Sequence, residues 1–438
     1  MAEAQRFDVV IAGGGMTGGM LAAALAERST LSVCVLERER PEPFEPGSSP
    51  EYDIRVSALS IATKRLFENV GAWEAVRSRR LCPYRRMMVW DGEAGEVEGR
   101  HGSPRTRFDA AGIDAEALGY IVENRVVQLA LLERLERADR VTLRCPERLA
   151  SFRHKGAGAA PDPASSASPG PAPGAPPGRA TTVEVVLESG ERLETRVLIG
   201  ADGAGSAVRR LAGIAHERSA YDQHALVTTI ETELPQQDIT WQRFVPSGPQ
   251  AFLPLVGHRA SMVWYHEADE IARLNALDDE AFALAMEAAF PVELGGVRSV
   301  VERASFPIAK AHATDYIADR VALIGDAAHT VHPLAGQGVN LGMLDAAALA
   351  EVLWEADAAG RDVGSLRTLR RYERWRRGEN AAMIAVLDGF HHVFGPQPLP
   401  MRALRRLALG VADRAGPLKR TLMRRAMGVA GDLPALAR

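Results

Sequence analysis

A glycine-rich segment near the start of the chain has the residue types and spacing of a phosphate-binding turn. Gly13, Gly15 and Gly18 fit the pattern GxGxxG, and they follow an apolar run, FDVVIA, that predicts a buried strand over 7–12. Gly13 would permit a tight turn, Gly15 would let a pyrophosphate approach the backbone, and Gly18 would let a helix pack on the strand. The helix that we predict over 16–28 would offer free N–H groups to the phosphates.

The next predicted strand, over 32–37, completes a βαβ unit and ends at an acidic residue. Glu37 follows Gly18 by nineteen residues, which is the distance at which such units carry a carboxylate for a ribose hydroxyl. A structural glycine turn without a ligand is the alternative, and the strand–turn–helix context makes it the weaker one. The sequence therefore predicts a dinucleotide site.

The strand that we predict over 196–201 also ends in a glycine turn. Asp202-Gly203 follows it, and a helix begins shortly afterwards. Asp-Gly pairs are common in turns for local reasons, because the aspartate side chain bonds its own backbone. By itself this turn is equally consistent with a ligand-binding role and with a structural one.

A third predicted strand, over 320–325, ends at Gly325 and Asp326. Asp326 would offer a carboxylate to the hydroxyl groups of a ligand at this turn. The loop from Pro333 to Gly338 is rich in glycine and opens a long helix. The N-terminus of that helix has the polarity to face the electron-rich edge of a ring.

Two histidines in the same segment, His329 and His332, lie three residues apart, which invites a metal-site interpretation. No further set of ligands accompanies them. We therefore interpret both as structural, loop-ordering residues and predict no metal.

The three turns, in this order, resemble those of the class A flavoprotein monooxygenases, the group with the para-hydroxybenzoate hydroxylase fold. The finer similarity is to the ubiquinone-biosynthesis hydroxylases, the UbiH, UbiF, VisC and Coq6 group, whose signature looks like GDAAHTVHPLAGQGVN over 325–340. Three more segments are similar to that group's usual ones: RVSAL over 55–59, GYIVEN over 119–124, and QRF over 242–244 with Gly248-Pro249. The resemblance covers roughly residues 6–395.

The resemblance implies an α/β fold in which a mostly antiparallel substrate domain is inserted into a Rossmann-type FAD-binding domain. The FAD-binding domain would comprise 1–80, 105–212 and 305–360, the substrate domain 81–104 and 213–304, and a C-terminal helical region 361–438. Strand-like runs over 225–304 agree with this division. We predict helices over 16–28, 57–79, 122–139, 278–289, 338–358, 363–394 and 399–430.

The tract over 155–181 departs from the family. It consists almost wholly of Pro, Ala, Gly and Ser, and it has too few large apolar side chains to offset the entropy of ordering. Strand-like segments over 140–144 and 182–187 flank it. We therefore predict a disordered insertion at the tip of a hairpin.

The resemblance also implies which residues bind FAD. Glu37 would bind the adenosine ribose, and Asp326 would hold the ribityl chain. Arg55 and Gln128 would lie near the phosphates or the ribityl chain, although either side chain has an alternative as a surface or helix-capping group. The full set is Gly13, Gly15, Gly18, Glu37, Arg55, Gln128, Asp202, Gly325, Asp326, Pro333, Gly336, Gln337, Gly338, Val339 and Asn340.

The implied activity is aromatic-ring hydroxylation. NAD(P)H would reduce the flavin, O₂ would supply the oxygen, and the substrate would be a polyprenylated phenol of ubiquinone biosynthesis. A second GxGxxG is absent, which fits a reductant that binds transiently, and no side chain is assigned as a catalytic base. An apolar channel or, as the stronger alternative, the core of a sheet would account for Phe244, Phe252, Leu253, Leu255, Trp264 and Phe306.

Three other functions compete with this one. Another flavoenzyme on the same scaffold, an epoxidase or a prenyl reductase, would share the motifs, whereas a tryptophan-type halogenase is disfavoured because the sequence has no WxWxIP segment. A non-catalytic flavin-binding subunit of a biosynthetic complex is a second possibility. A plain NAD-dependent dehydrogenase is a third, and it leaves the second and third turns unexplained.

Composition limits the partners. A length of 438 residues predicts two or three domains, and a formal net charge of -4 gives no indication of nucleic-acid binding. Cys34, Cys82 and Cys145 are scattered, which is typical of a reducing cytoplasm. We expect a homo-oligomer. The C-terminal tail is basic, and it would lie on an anionic inner-membrane surface, dock a partner, or face solvent. Its basic residues are Arg402, Arg405, Arg406, Arg414, Lys419, Arg420, Arg424 and Arg425.

Overall fold

Three β-sheets and the helices packed on them make up the computed structural model. It describes residues 4–44, 51–92, 105–156, 182–289, 291–333, 336–394, 420, 423–424 and 427–438. The α/β fold predicted from the sequence is confirmed. In the described part of the chain, the strands β1 to β19 are Gln5–Ala12, Val33–Leu36, Val56–Ser60, Cys82–Tyr84, Arg86–Asp91, Arg105–Asp109, Gly119–Glu123, Val141–Arg144, Leu149–Lys155, Thr182–Leu187, Arg192–Gly200, His216–Thr232, Ile239–Val245, Gly248–Pro254, Arg259–His266, Val297–Ala313, Ile317–Ala318, Val321–Leu323 and His329–Thr330.

Nine α-helices lie within the described ranges, together with short 3₁₀ turns. Helices α1 to α9 are Met16–Arg28, Ile61–Asn69, Trp73–Arg77, Asn124–Glu136, Ala207–Leu211, Ala268–Ala276, Asp279–Glu287, Gln337–Ala358 and Leu366–Phe394. The 3₁₀ turns are Ala110–Ile113, Val292–Leu294, Gly325–Ala327 and Ala435–Ala437. None of the helices in these ranges is long and apolar enough to cross a membrane.

The first sheet has a parallel centre in the order β18, β11, β1, β2, β8. Its central strand β1 is a run of branched apolar residues, Val9, Val10 and Ile11, all fully buried because helices cover both faces. The registers place Ala12 beside Leu36 and beside Gly200, and Gly200 beside Leu323. The carboxyl ends of four strands therefore meet at one edge of the sheet, where all the predicted glycine turns leave it.

The second sheet is mostly antiparallel, as the alternating middle of the sequence predicts. Its order is β19, β16, β12, β15, β14, β13, β5, β6, and only the pair of β13 with β5 is parallel. Strand β16 runs from Val297 to Ala313, so the domain boundary predicted at residue 305 falls inside a strand of this sheet. The strand β19, which directly follows the third turn, also pairs with β16.

Two predicted helices begin later in the chain than expected. The range 57–79 starts with strand β3, which pairs with β7 in the small third sheet of order β3, β7, β4, so only α2 and α3 are helical there. Ser60 caps α2 by accepting a hydrogen bond from the Thr63 N–H. In the range 122–139, residues up to Glu123 belong to β7, and α4 follows. Tertiary pairing overrides the local helical pattern in both places.

The remaining helices agree with the predictions except for one omission. Helix α7 begins after Asp278, whose side chain accepts a hydrogen bond from the Ala281 N–H, whereas α6 was not predicted. The flanks of the Pro/Ala tract do form a hairpin, but the partner of β10 is β9, since Lys155 pairs with Thr182. Strand β8 instead lies parallel to β2. The predicted disorder over 155–181 lies, from residue 157 onwards, outside the described residues, as does most of the predicted helix over 399–430.

Candidate functional site

Backbone crowding at the first turn explains two of its glycines. Gly13 has φ +101°, and a Cβ added to it would lie 2.3 Å from the carbonyl oxygen of Ala201 in the second turn. A Cβ on Gly18 would lie 1.9 Å from the carbonyl oxygen of Gly13. Neither position has room for a side chain, because helix α1, the first turn and the second turn pack backbone against backbone.

Open space surrounds Gly15, the middle glycine of this motif. A Cβ on Gly15 would have only one near neighbour among the described residues, Nε2 of Gln128 on α4, at 4.0 Å. The Gln128 side chain makes no hydrogen bond to another described residue. The position at which the motif predicts a pyrophosphate is therefore the one where the described residues leave space, and the Gln128 side chain lies beside it.

Glu37 lies at the first turn, as the sequence predicts. Its Oε2 accepts a hydrogen bond of 2.7 Å from the Gly14 N–H, and its Oε1 accepts one of 2.8 Å from the Arg38 N–H. These bonds fix the half-buried carboxylate at the end of β2. A carboxylate oxygen has two lone pairs, so Glu37 keeps acceptor capacity for a ribose hydroxyl.

The second turn has a structural role, and one atom of its aspartate side chain is also available to a ligand. Oδ2 of Asp202 accepts hydrogen bonds from the N–H groups of Ala207 and Val208, at 2.7 and 3.2 Å, and so caps α5. The other carboxylate oxygen, Oδ1, is buried and has no hydrogen-bond partner among the described residues. A buried carboxylate oxygen without a donor is costly, and a ligand that donates a hydrogen bond would satisfy it.

Thr17 brings the first and third turns together. Gly325 has φ +58°, and a Cβ added there would lie 2.9 Å from Oγ1 of Thr17. A Cβ on Gly342 of α8 would lie 2.8 Å from the same atom. The start of α1 therefore fits between the third turn and α8, and neither of those elements can carry a side chain at the contact.

Asp326 projects from the third turn and is exposed to solvent. The protein around it nevertheless limits its hydration, and this raises the pKa of Asp326 above the ordinary aspartate value. Electrostatic attraction to His329 and to Arg55 acts in the opposite direction, which places Arg55 near Asp326. Arg55 is itself exposed, and its guanidinium has no hydrogen-bond partner among the described residues.

The described residues of the predicted Pro333–Gly338 loop contact the third sheet and the second sheet, and residues 334–335 lie outside the described part of the chain. Gly336 has φ +63°, and a Cβ on it would lie 3.1 Å from the Ala58 nitrogen. The carbonyl oxygen of Pro333 accepts a hydrogen bond of 3.1 Å from the Tyr265 hydroxyl on β15. A Cβ added to Gly338, in the first turn of α8, would lie 3.5 Å from Cγ2 of Val331, which is ordinary van der Waals contact. Gln337 begins α8, and Val339 packs partly buried against the main core.

The Asn340 side chain is hydrogen-bonded at both of its polar atoms inside the protein. Its Oδ1 accepts hydrogen bonds from the Ser60 N–H and the Thr63 hydroxyl, and its Nδ2 donates to the carbonyl oxygens of Ala58 and Gly336. The Asn340 side chain thus ties α8 to the segment after Arg55. Asn340 would therefore contact a cofactor through its backbone and not through its side chain.

The apolar residues suggested as a channel do not line one surface. Phe252 and Trp264 belong to the core of the second sheet, whereas Leu253 and Leu255 belong to a cluster beneath the third sheet. Phe244 packs near the third turn with Val331 and Leu341, and Phe306 is 44% exposed. Successive residues of a strand face opposite sides, so this set is divided between faces.

Sequence reasoning missed the buried arginine that joins the second and third turns. Nη1 of Arg209 donates to the carbonyl oxygen of Ala327 at 2.7 Å, and Nη2 donates to that of Ala204 at 2.8 Å. Burial lowers the pKa of Arg209. In the sequence, an arginine on a short helix looks like a solvated charge, and nothing local marked this one as buried.

Comparison with known proteins agrees with this geometry. The model of the FAD binding domain family matches residues 6–385. The chain is 38% identical to 3-demethoxyubiquinol 3-hydroxylase of Escherichia coli over 426 residues, which cover 97% of this chain and 99% of the relative. It is 37% identical to ubiquinone hydroxylase UbiL of Rhodospirillum rubrum over 421 residues, covering 96% and 89% of the two chains.

Among solved structures, PqsL, a probable FAD-dependent monooxygenase from Pseudomonas aeruginosa, is similar, with a TM-score of 0.70 at 25% identity. The match covers 89% of this chain and 97% of PqsL. The fold and the three converging turns thus define an FAD-dependent monooxygenase of the para-hydroxybenzoate hydroxylase type. Within this class, the chain belongs to the ubiquinone-biosynthesis hydroxylase family. The resemblance drawn from the motifs is confirmed, and the plain dehydrogenase is wrong.

The crowding at Gly18 predicts that Gly18→Ala prevents stable FAD binding. The added methyl group must displace the Gly13 backbone, and such overpacking commonly costs about 1–3 kcal/mol. Gly19→Ala is the matched control in the same helix, because its Cβ would lie 3.3 Å from the nearest atom, on Leu131. FAD retained per protein chain after gel filtration measures the effect. Equal retention by both variants would contradict this account of the turn.

Proposed function

We propose that this enzyme hydroxylates the aromatic ring of a polyprenylated phenol in ubiquinone biosynthesis, with NAD(P)H as the reductant. The observation that carries the proposal is the convergence of three glycine turns at one sheet edge in a chain 38% identical to 3-demethoxyubiquinol 3-hydroxylase. When bound, FAD supplies the redox and oxygen chemistry. The residues of the chain bind it, orient it and limit the access of water.

The adenosine end of FAD is assigned to the first turn. The open space at Gly15 and the first turn of α1 fit a pyrophosphate, since backbone N–H groups and the helix dipole favour negative charge there. Glu37, held at the same turn by Gly14, is the acceptor for the ribose. Gly13 and Gly18 act indirectly, by allowing the close packing that forms the turn.

The middle of the cofactor is assigned to four polar side chains around the sheet edge. The ribityl and pyrophosphate part of FAD carries both hydroxyl and phosphate groups, which four side chains here could bind. They are Asp202 with its unpartnered Oδ1, Asp326 with its exposed carboxylate, Arg55 with its exposed guanidinium, and Gln128 with its unbonded amide. The set contains hydrogen-bond acceptors for the hydroxyl groups and donors for the phosphate groups.

The isoalloxazine ring is assigned to the loop from Pro333 to Gly338 and the start of α8. Backbone N–H groups at Gln337, Gly338 and Val339 would face the ring edge, where the positive end of the helix dipole stabilises negative charge. Tyr265 fixes the loop from the second sheet through Pro333. The division into FAD-binding and substrate domains made from the sequence stays a proposal. In this proposal the isoalloxazine ring would lie between the first sheet and the second sheet.

The activity itself is tested with the purified holoenzyme. Under ¹⁸O₂, NAD(P)H oxidation with a short-chain prenylated phenol should yield a product that carries one ¹⁸O atom on the ring. A reduced alkene without ¹⁸O would favour a prenyl reductase. Flavin that keeps its visible absorbance under excess NADPH without oxygen would instead favour a non-catalytic subunit.

The raised pKa of Asp326 predicts opposite effects of Asp326→Asn on stability and on cofactor binding. A raised pKa in the folded state means that ionisation disfavours the folded apoprotein as pH rises through that pKa. The variant should therefore melt at a temperature equal to or above that of the wild-type apoprotein at neutral pH. The difference should vanish on acidification towards about pH 4, the ordinary aspartate range.

The same variant should bind FAD at least about tenfold more weakly, since hydrogen bonds to a charged acceptor are among the stronger ones. Thermal melts of apoprotein and titration of flavin fluorescence measure the two effects. Asp139→Asn, at an exposed aspartate in the loop after α4, is the control and should change neither quantity. Wild-type FAD affinity in Asp326→Asn would remove Asp326 from the site.

Peripheral membrane contact is proposed for the basic tail. A substrate with a prenyl chain resides in lipid, and tail arginines near a surface bind anionic headgroups. Leu436 and Ala437 are buried, and Trp375 donates a hydrogen bond to the Asp432 carbonyl oxygen. Charge reversal is therefore a cleaner test than truncation.

Replacing three tail arginines by Glu, at Arg402, Arg405 and Arg406, should abolish co-sedimentation with vesicles that contain phosphatidylglycerol. Co-sedimentation with neutral vesicles should not change. Arg28, Arg148 and Arg218, all exposed and elsewhere on the surface, serve as a control of equal charge change. Equal loss of binding in both triple variants would show that net charge, and not the tail, governs the interaction.

A further inference from the structure

A buried charged cluster adjoins the third turn, and none of its side chains is among those assigned to FAD. It consists of Asp345 on α8, Arg376 and Asn380 on α9, and His329 on β19. Each of the four is at most 3% exposed. No part of the proposed function uses this cluster.

Asp345 is the common acceptor of the cluster. Its Oδ1 accepts hydrogen bonds from Nε of Arg376 at 2.8 Å and from Nδ2 of Asn380 at 2.9 Å. Its Oδ2 accepts from Nε2 of His329 and from the Gly325 N–H, the latter at 3.3 Å. Burial alone would raise the pKa of Asp345, but the charges and hydrogen bonds of His329 and Arg376 outweigh it and lower the pKa to about 2.

Stability alone is a weak explanation for such a cluster. Removing charged groups from water is costly, and well-packed apolar residues commonly stabilise a core equally well or better. A carboxylate that takes four hydrogen bonds does, however, fix the positions of its donors. Asn380 adds to this rigidity by accepting a hydrogen bond of 2.9 Å from Nη2 of Arg376.

Two of the donors belong to the third turn and stand on either side of Asp326. Gly325 precedes Asp326 and is held in the left-handed conformation with φ +58°. His329 follows it by three residues and also stacks on Tyr316, with ring centroids 6.0 Å apart. Asp345 therefore holds the turn at both ends, and the Asp326 side chain projects between the two attachment points.

We propose that Asp345 is a positioning residue of the flavin site, which fixes the third turn through Gly325 and His329 so that Asp326 faces the cofactor. Arg376 and Asn380 of α9 fix Asp345 in turn. The proposal rests on the assignment of FAD to the three turns. It predicts that Asp345 affects the flavin half of the cofactor and leaves the adenosine half, which the first turn binds, unchanged.

Comparison of two ligands tests this. Asp345→Asn keeps the shape of the side chain but removes the charge and one acceptor. It should raise the dissociation constant of FAD by about tenfold or more, because hydrogen bonds to a charged group are lost, and leave that of ADP within about twofold of wild type. Flavin fluorescence measures the first constant and calorimetry the second. A loss of packing alone would weaken both ligands together.

A second variant keeps the test decisive if Asp345→Asn folds poorly. Arg376→Lys keeps the positive charge but cannot bond both Asp345 and Asn380 in the same way, and it should weaken FAD selectively but less. Asp362→Asn is the matched control, because it weakens a partly buried ion pair with Arg320, joined at 2.6 Å at the opposite end of β18. It should lower the melting temperature without changing the ratio of the FAD and ADP constants.

The outcomes separate this inference from the proposed function. If wild-type protein binds FAD and hydroxylates the phenol while Asp345→Asn and Arg376→Lys keep the wild-type ratio of constants, the positioning role is overturned. The same holds if both constants rise together in each variant. If wild-type protein binds no FAD, the assignment of the three turns fails first, and the selective effect cannot arise.

Discussion

The alignment of four parallel strand ends is the constraint on which the rest of the site depends. Ala12, Gly200 and Leu323 lie in register across the first sheet, so the turns that follow them leave at the same edge. Adjacent strands are only about 4.8 Å apart, and turns at neighbouring strands must therefore touch. The contact of Gly13 with Ala201 shows the result. Glycine is required there by crowding between protein segments, in addition to any need of the ligand.

The third turn carries a second constraint, because it joins the two large sheets. Leu323 ends β18 in the first sheet, and His329 begins β19 in the second. Between them, Gly325 has a left-handed backbone conformation, and Asp326 exposes a carboxylate whose pKa is raised. Desolvation of that carboxylate costs free energy, so the turn needs support from the elements packed against it. Asp345 behind the turn and Thr17 beside it provide that support from α8 and α1.

The sequence was sufficient for features that are local in the chain. Glycine spacing and the acidic residue after β2 predicted the first turn, and short apolar runs predicted the parallel strands. Strand β3 was missed because its pairing with β7 is long-range. The internal hydrogen bonds of the Asn340 side chain were also missed, because a motif does not tell whether the side chain or the backbone of a residue faces the ligand. The pairing of Asp345 with Arg376 joins two helices whose charges look solvated in sequence.

In the proposed assignment, recognition of the cofactor and of the substrate falls on different parts of the molecule. The turns contribute mainly backbone groups and glycines, and backbone geometry persists when side chains change, which fits a TM-score of 0.70 with PqsL at only 25% identity. The second sheet contributes side chains, including Tyr265, which bonds the loop at Pro333, and Phe244, which packs close to the third turn. Because side chains change more readily than turns, differences in substrate among proteins of this fold should arise on the second sheet, while the sheet edge keeps the flavin.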